Sequence, residues 1–302
     1  MTSPPWRGER PGHFPGVPAW GLATRLADTR LDHLERFAGV TAEWAWGGGG
    51  GAGVRVCVLD SGVDGAHPDV APLARSVAVE VTGEGAAVTD CEPTDAAGHG
   101  TACAGIIRSL APEAELTSVR VLSSGKTGTG DALLEGLRWA VEEGFDVVNM
   151  SLSTTHPRFQ LALHELADRA YFRRTTLVTA AHNMPVRSFP WTFASVVSVA
   201  SHDIDDPKVH FYNPAPPAEF QARGLRVPVA WPGGGHIRST GNSFAAPHIT
   251  GLCALVLGKH PWLTPFQLKT VLYLTAVNVT PSHGGSRHAP AEHDRTVGTP
   301  AR

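Results

Sequence analysis

No apolar run in this sequence approaches the roughly 20 residues that cross a bilayer, and the longest, around Leu252–Leu257, reads as a core segment. A membrane-spanning helix is therefore not expected. Charge is sparse too. Only 18% of the 302 residues are charged and the formal net charge is -3, without the basic excess of a nucleic-acid binder, so no nucleic-acid partner is expected. Cysteine is scarce. Cys57, Cys91, Cys103 and Cys253 make neither a CxxC pair nor a zinc-finger spacing, and in a chain of this length they read as free thiols of a reducing compartment. The 15 histidines form no HExxH motif, His164-Glu165 being followed by Leu166-Ala167-Asp168, so no metal site is expected. The N-terminus, Met1-Thr2-Ser3-Pro4-Pro5-Trp6, is followed by more Pro and Gly and never builds the apolar core of a secretory signal. That points to the cytoplasm, with secretion as the alternative.

Gly and Pro are abundant, at 33 and 24 residues, and 42% of the chain is hydrophobic, enough for a sizeable core in a turn-rich fold. Residues 1–53 read as an N-terminal extension with a short helix around Leu31–Phe37 and a flexible glycine linker at Gly47–Gly51. Residues 54–280 read as one domain without internal repeats. Residues 281–302, rich in Pro, Gly, His and Ser, read as a disordered tail. Within the domain, apolar strands at Val54–Leu59, Asp146–Leu152, Thr176–Ala181 and Val196–Ser201 alternate with helices. Leu133, Leu137, Ala140 and Val141 share one face of a helix over Ala132–Glu143, and Leu163, Leu166, Ala167 and Ala170 share one over Phe159–Arg173. Asp203–Pro217 reads as a surface excursion. Two last helices begin near Ser243 and near Pro265, the latter with Thr264 and Gln267 as a capping box. Strands that are apolar throughout and alternate with helices imply an α/β fold: a mainly parallel sheet with helices on both faces, three layers in all. Ligands of such folds sit at the carboxyl ends of the strands.

Three segments fall at such places. In Val58-Leu59-Asp60-Ser61-Gly62, a carboxylate ends a strand. In Gly98-His99-Gly100-Thr101, a histidine between glycines opens an apolar helix. In Gly241-Asn242-Ser243-Phe244-Ala245, a serine stands at the mouth of another helix. Alone, each residue is as easily a turn former or a helix cap; together they are what acyl transfer needs. A serine hydroxyl becomes a nucleophile when an imidazole takes its proton, and a buried carboxylate fixes the imidazole tautomer and stabilises the imidazolium. A helix N-terminus adds free N–H groups for an oxyanion.

The Asp60–His99–Ser243 order with these motifs resembles the subtilisin-like (subtilase) serine peptidase family. The resemblance runs from about Val54 to Ala276, whereas the GxSxG hydrolases have a different triad order and a final glycine that Gly241–Ala245 lacks. It implies that Asp60 orients, His99 acts as general base and then acid, and Ser243 is the nucleophile of a serine endopeptidase acting on peptides or proteins. Val178–Asn183 matches the strand that ends in the oxyanion asparagine, which implies that role for Asn183. Ser151, Leu152 and Ser153 match the wall of the primary specificity pocket, and Gly128, Thr129 and Gly130 the opposite edge of the substrate groove.

The departures from the family pattern carry expectations of their own. Ser153, Thr154 and Thr155 stand where glycines are common, and His182 stands where a glycine precedes the oxyanion asparagine, so a narrowed or more polar pocket is expected, suited to a dedicated precursor. Asn242 replaces a threonine, a change expected to be tolerated. Cys103, one turn after His99, resembles the thiol of the proteinase K-like members, although a small buried hydrophobe reads as well. The family's main calcium loop has no room where Ile106–Leu110 runs straight into Ala111–Leu116, so no cofactor is expected, and Asp203, Asp205 and Asp206 read as a solvated acidic loop. The roughly 50 residues before Val54 are short for an inhibitory prodomain. Two other functions stay open at this level, a catalytically silent subtilase-fold binding module and a triad esterase. Oligomeric state is not legible.

Overall fold

The computed structural model describes residues 39–83, 85–123, 128–215 and 217–279. The expected helix around Leu31–Phe37 and the expected tail lie outside the described residues. In chain order the elements are α1 (Ala42–Trp46), β1 (Arg55–Asp60), β2 (Arg75–Thr82), β3 (Gly85–Asp90), α2 (His99–Leu110), β4 (Glu115–Arg120), α3 (Gly130–Glu143), β5 (Val147–Met150), α4 (Gln160–Phe172), β6 (Thr176–Ala180), β7 (Val197–His202), β8 (His210–Tyr212), β9 (Phe220–Arg223), β10 (Val227–Trp231), β11 (Gly235–Ser239), α5 (Asn242–Lys259) and α6 (Pro265–Thr275).

Nine strands form one sheet in the order β3-β2-β4-β1-β5-β6-β7-β9-β8, and β10 and β11 form a separate hairpin. Every internal pairing from β2 to β9 is parallel, while β3 and β8 close the two edges antiparallel. The central strands are buried on both faces, which is why they read as unbroken apolar runs. In β1 the alternation still decides the layers: Val56 and Val58 join the core under α2 and α5, whereas Cys57 and Leu59 join the one under α3 and α4. The α2 and α5 layer also packs on α1, and Phe244 to Leu257 of α5 are all buried, as expected of a helix apolar all round. The three-layer α/β architecture stands as read from the sequence. The α3 and α4 faces are the expected ones, and the α6 capping box is present.

Local departures have physical causes. The strand read to Leu152 ends at Met150, because Ser151 and beyond turn into the cleft described below. The Asp203–Pro217 excursion contains β8, whose His210 is buried and donates its Nε2–H to Leu272 O, 2.8 Å away. The glycine run is not a free linker. Gly50 O accepts the Glu113 N–H at 2.8 Å, Gly47 O accepts from Lys259 Nζ at 2.9 Å, and Trp44 stacks on His260. The glycines let the backbone lie flat here: a Cβ added at Gly258 would come within 2.9 Å of Gly51 Cα. Among the described residues no helix is long and apolar enough to cross a membrane. The four cysteines are unpaired.

Candidate active site

Asp60 is the last residue of β1 and fully buried, with its Oδ1 accepting the Ser61 N–H at 2.8 Å. His99, the first residue of α2, is 7% exposed, and its Nδ1 lies 2.8 Å from Asp60 Oδ1 and 2.9 Å from Oδ2. These are charge-assisted distances in a dry setting. Two glycines make this approach possible. Gly98 has φ 81, where an L side chain is strained, and a Cβ there would also meet the Trp231 ring at 2.6 Å. A Cβ on Gly100 would sit 2.0 Å from the Gly62 carbonyl oxygen.

Asp95, which the motif reading passed over, ties the two segments together. Its Oδ1 accepts from Ser61 Oγ at 2.7 Å, Ala97 N at 2.9 Å and Gly98 N at 2.7 Å. Its Oδ2 accepts from Thr101 N at 2.8 Å and Thr101 Oγ1 at 2.6 Å. One carboxylate thus satisfies the free N–H groups at the start of α2 and anchors the turn after Asp60. Its only signal in the sequence is an acid four residues ahead of a helix start.

Burial is the largest single influence on His99 and lowers its pKa. The Asp60 charge, and after it the Asp60 hydrogen bond, outweigh burial and hold the imidazole well above its ordinary value. Cys103 Sγ lies 3.9 Å from Asp60 Oδ2 and 4.0 Å from His99 Nδ1. Its burial raises the thiol pKa, so it sits beneath the pair as a neutral S–H.

Ser243 stands in the first turn of α5. Pro247, inside that helix, has no N–H to give the Ser243 carbonyl four residues back. That carbonyl instead accepts from Ser151 Oγ at 2.8 Å and from Cys103 Sγ at 3.5 Å. Ser151 in turn accepts from Asn149 Nδ2 at 3.1 Å, and Asn149 Oδ1 accepts from Thr250 Oγ1 at 2.9 Å. The helix that carries the serine is therefore fixed to β5. The Ser243 hydroxyl itself makes no hydrogen bond to another described residue. It faces the same cleft as His99, and such contacts often tighten only when substrate binds.

Asn242 links this helix to the end of β6. Its Oδ1 accepts from Ser201 N at 2.9 Å and Ser201 Oγ at 2.8 Å, and its Nδ2 donates to Ala181 O at 3.1 Å. Its backbone N–H donates to Asn183 Oδ1 at 3.0 Å. Asn183 itself lines the cleft, and with that oxygen occupied its Nδ2 is the amide atom left to donate.

The cleft has a volume of about 540 Å³. Besides His99, Asn183 and Ser243, it is lined by Ser151, Leu152 and Ser153, by His182, and by Gly128, Thr129 and Gly130. Every site residue read from the sequence except buried Asp60 reaches it. Several have structural duties as well. Thr129 caps α3 by accepting the Ala132 N–H at 3.0 Å, and His182 Nδ1 accepts the Met184 N–H at 3.0 Å. Phe244 of the serine motif also lines the cleft, as do Leu122, Leu133, Ser239 and Thr240, which no sequence motif announces.

The arrangement matches known proteins. The profile of the Peptidase S8, or subtilase, family matches residues 51–298. Subtilisin DY of Bacillus licheniformis is 32% identical over 241 residues, covering 75% of this chain and 84% of that protein. Subtilisin E of Bacillus subtilis is 31% identical over 241 residues, covering 74% of this chain but 60% of the longer relative. Among solved structures, a cold-adapted subtilisin-like serine proteinase aligns with TM-score 0.59 and 28% identity over 72% of this chain and 80% of its own.

Proposed function

This chain belongs to the subtilase family of serine endopeptidases, and on that premise we propose that Asp60, His99 and Ser243 are its catalytic triad and Asn183 its oxyanion donor. Its substrates are peptides or proteins. The observation that carries the assignment is the buried Asp60–His99 hydrogen bond at the head of the cleft that Ser243 and Asn183 share.

Chemistry follows from the hydrogen bonds. The Nδ1 proton of His99 is held by Asp60, which leaves Nε2 unprotonated toward the cleft to take the proton of Ser243 as its Oγ attacks the scissile carbonyl. The resulting oxyanion meets the Ser243 N–H at the positive end of α5 and the Asn183 amide. The imidazolium then gives its proton to the departing amine, and water repeats the sequence on the acyl-enzyme. Asp60 stabilises the charged imidazole throughout. A silent binding module would not need this set intact, and an esterase has no support in the subtilisin relatives.

Because base catalysis needs neutral His99 and Asp60 raises the His99 pKa, kcat/KM for peptide hydrolysis should rise with pH through a midpoint above the ordinary 6.5. Initial rates from pH 5 to 9 check this, and a midpoint at or below 6.5 would count against it. Asn183→Ala should lower kcat with little change in KM. The loss measured for the oxyanion asparagine of subtilisin itself, about 10²–10³-fold, sets the scale. A KM effect alone would remove Asn183 from the oxyanion role.

The connection after α2 is short for the family's main calcium loop. The four residues between α2 and β4, Ala111–Ala114, offer one acidic side chain, Glu113, where a calcium ion takes six to eight oxygens. We propose that the enzyme works without that ion. The likeness to bacterial subtilisins gives no support to a cytoplasmic location and favours its alternative, secretion.

A further inference from the structure

On the side of the cleft lined by Ser151–Thr154 and by Ala180–Asn183, the two walls are joined at their far end. Ser153 Oγ, which faces the cleft, lies 3.0 Å from Ser188 Oγ. Ser188 is fully buried and accepts the Trp191 indole N–H at 2.7 Å. Having accepted that N–H, the Ser188 hydroxyl still has a proton and a second lone pair, so it can hydrogen-bond Ser153 Oγ in either direction. One residue further on, Thr154 and Phe189 pair in both directions, each N–H donating to the other's carbonyl at 2.9 Å. Thr192 Oγ1 holds the Ser188 carbonyl at 3.2 Å, and Phe189 stacks on Phe193 with ring centroids 5.5 Å apart. The loop that carries Ser188 is therefore pinned by its backbone, by an indole and by a stacked pair of rings. This bracing opposes its displacement when a large group presses on it. The cleft volume belongs to the whole groove, which runs from Thr129 and Leu133 across to Ser239 and Thr240.

We propose that the Ser153–Ser188 hydrogen bond is the floor of the pocket that receives the substrate side chain on the acyl side of the scissile bond. This floor makes the enzyme select glycine, alanine or serine there and exclude aromatic and long aliphatic residues. The inference rests on Ser243 being the nucleophile, since that fixes which limb of the cleft lies beside the scissile carbonyl. The floor acts by volume and by chemistry. Ser153 stands in the cleft wall with buried Ser188 braced behind it, and a ring pushed against that pair would strip its hydrogen bond without replacing it. A small residue stops above the floor, and a serine can share a hydrogen bond with Ser153. The cost to larger residues follows the usual steric scale, in which one methylene too many changes kcat/KM by about 10- to 200-fold.

The test uses internally quenched peptides that differ only at this residue, carrying Ala, Ser, Leu or Phe, with the wild-type enzyme and with Ser153→Gly, Ser188→Gly and the conservative Ser153→Thr. Fluorophosphonate labelling of Ser243 and the melting temperature are followed in parallel. The wild type should favour Ala and Ser over Phe by at least about tenfold in kcat/KM. Either glycine variant should raise the Phe-to-Ala ratio by about tenfold or more, and Ser153→Thr should leave it low. A wild-type preference for Phe or Leu in an enzyme that labels at Ser243 would overturn the pocket inference alone. So would glycine variants that stay folded, label normally and keep the wild-type ratio. Absence of labelling in folded wild type would instead defeat the triad assignment on which the inference stands.

Discussion

Replacing Ser243 by alanine should lower turnover about a million-fold while leaving the fold and its melting temperature unchanged. The scale is known from subtilisin, where loss of the serine costs about 2 × 10⁶ in kcat. Stability should be spared because the Ser243 hydroxyl bonds to no other described residue, whereas the backbone carbonyl, which Ser151 and Cys103 hold, survives the change. A residual rate about 10³–10⁴ above water should remain, from Asn183 and substrate binding alone. Adding His99→Ala to this variant should cost almost nothing more, because the imidazole has no proton left to accept. Single-turnover measurements on the two variants check both statements, and additive losses would mean that the two residues do not act as a unit.

Asp60→Asn should lower turnover at neutral pH by about 10⁴-fold with the fold intact, the loss seen when the same exchange is made in a triad of this type. The structure gives the reason. The Ser61 N–H, donated to Asp60 Oδ1 at 2.8 Å, would hold the amide oxygen of the asparagine in that place. Its NH2 would then take the place of Oδ2, which faces His99 Nδ1 at 2.9 Å. A donor there favours the tautomer with the imidazole proton on Nε2, in which the base that should receive the Ser243 proton has no lone pair to offer. Losing the carboxylate charge also removes what holds the His99 pKa up. The remaining activity should therefore show a pH midpoint lower than the wild type's. A purely structural role for Asp60 would lower the rate without moving that midpoint, so the pH profile separates the two.

The residues that carry chemistry were legible because chemistry constrains their type and neighbours. Asp60, His99 and Ser243 each stand at the carboxyl edge of the sheet with glycines where the backbone crowds, and the layers followed from the unbroken apolar runs of β1, β5, β6 and β7. What was not legible is how the segments hold one another. Asp95 has no pattern of its own; its five hydrogen bonds exist only because the fold brings Ser61 and the start of α2 around it. Only the structure shows that Pro247 frees the Ser243 carbonyl for Ser151. Ser188 lies 35 residues beyond Ser153, so a hydroxyl pair across the pocket has no local trace. The edge strands fail for another reason. β11 is exposed along most of its length and β3 is only partly covered, so neither shows the apolar alternation that betrays a strand. The glycine run misled in the opposite sense, since its lack of side chains serves close packing against Gly258 rather than freedom.

The central claim is that Ser243 is a nucleophile activated by His99 and Asp60. A fluorophosphonate probe tests it most directly, because only an activated serine reacts quickly. Folded wild-type protein should gain one adduct, mapped by peptide mass spectrometry to Ser243, at a rate that rises with pH along the His99 profile; Ser243→Ala should gain none. An unlabelled wild-type protein, or an adduct on another residue that persists in Ser243→Ala, would contradict the account.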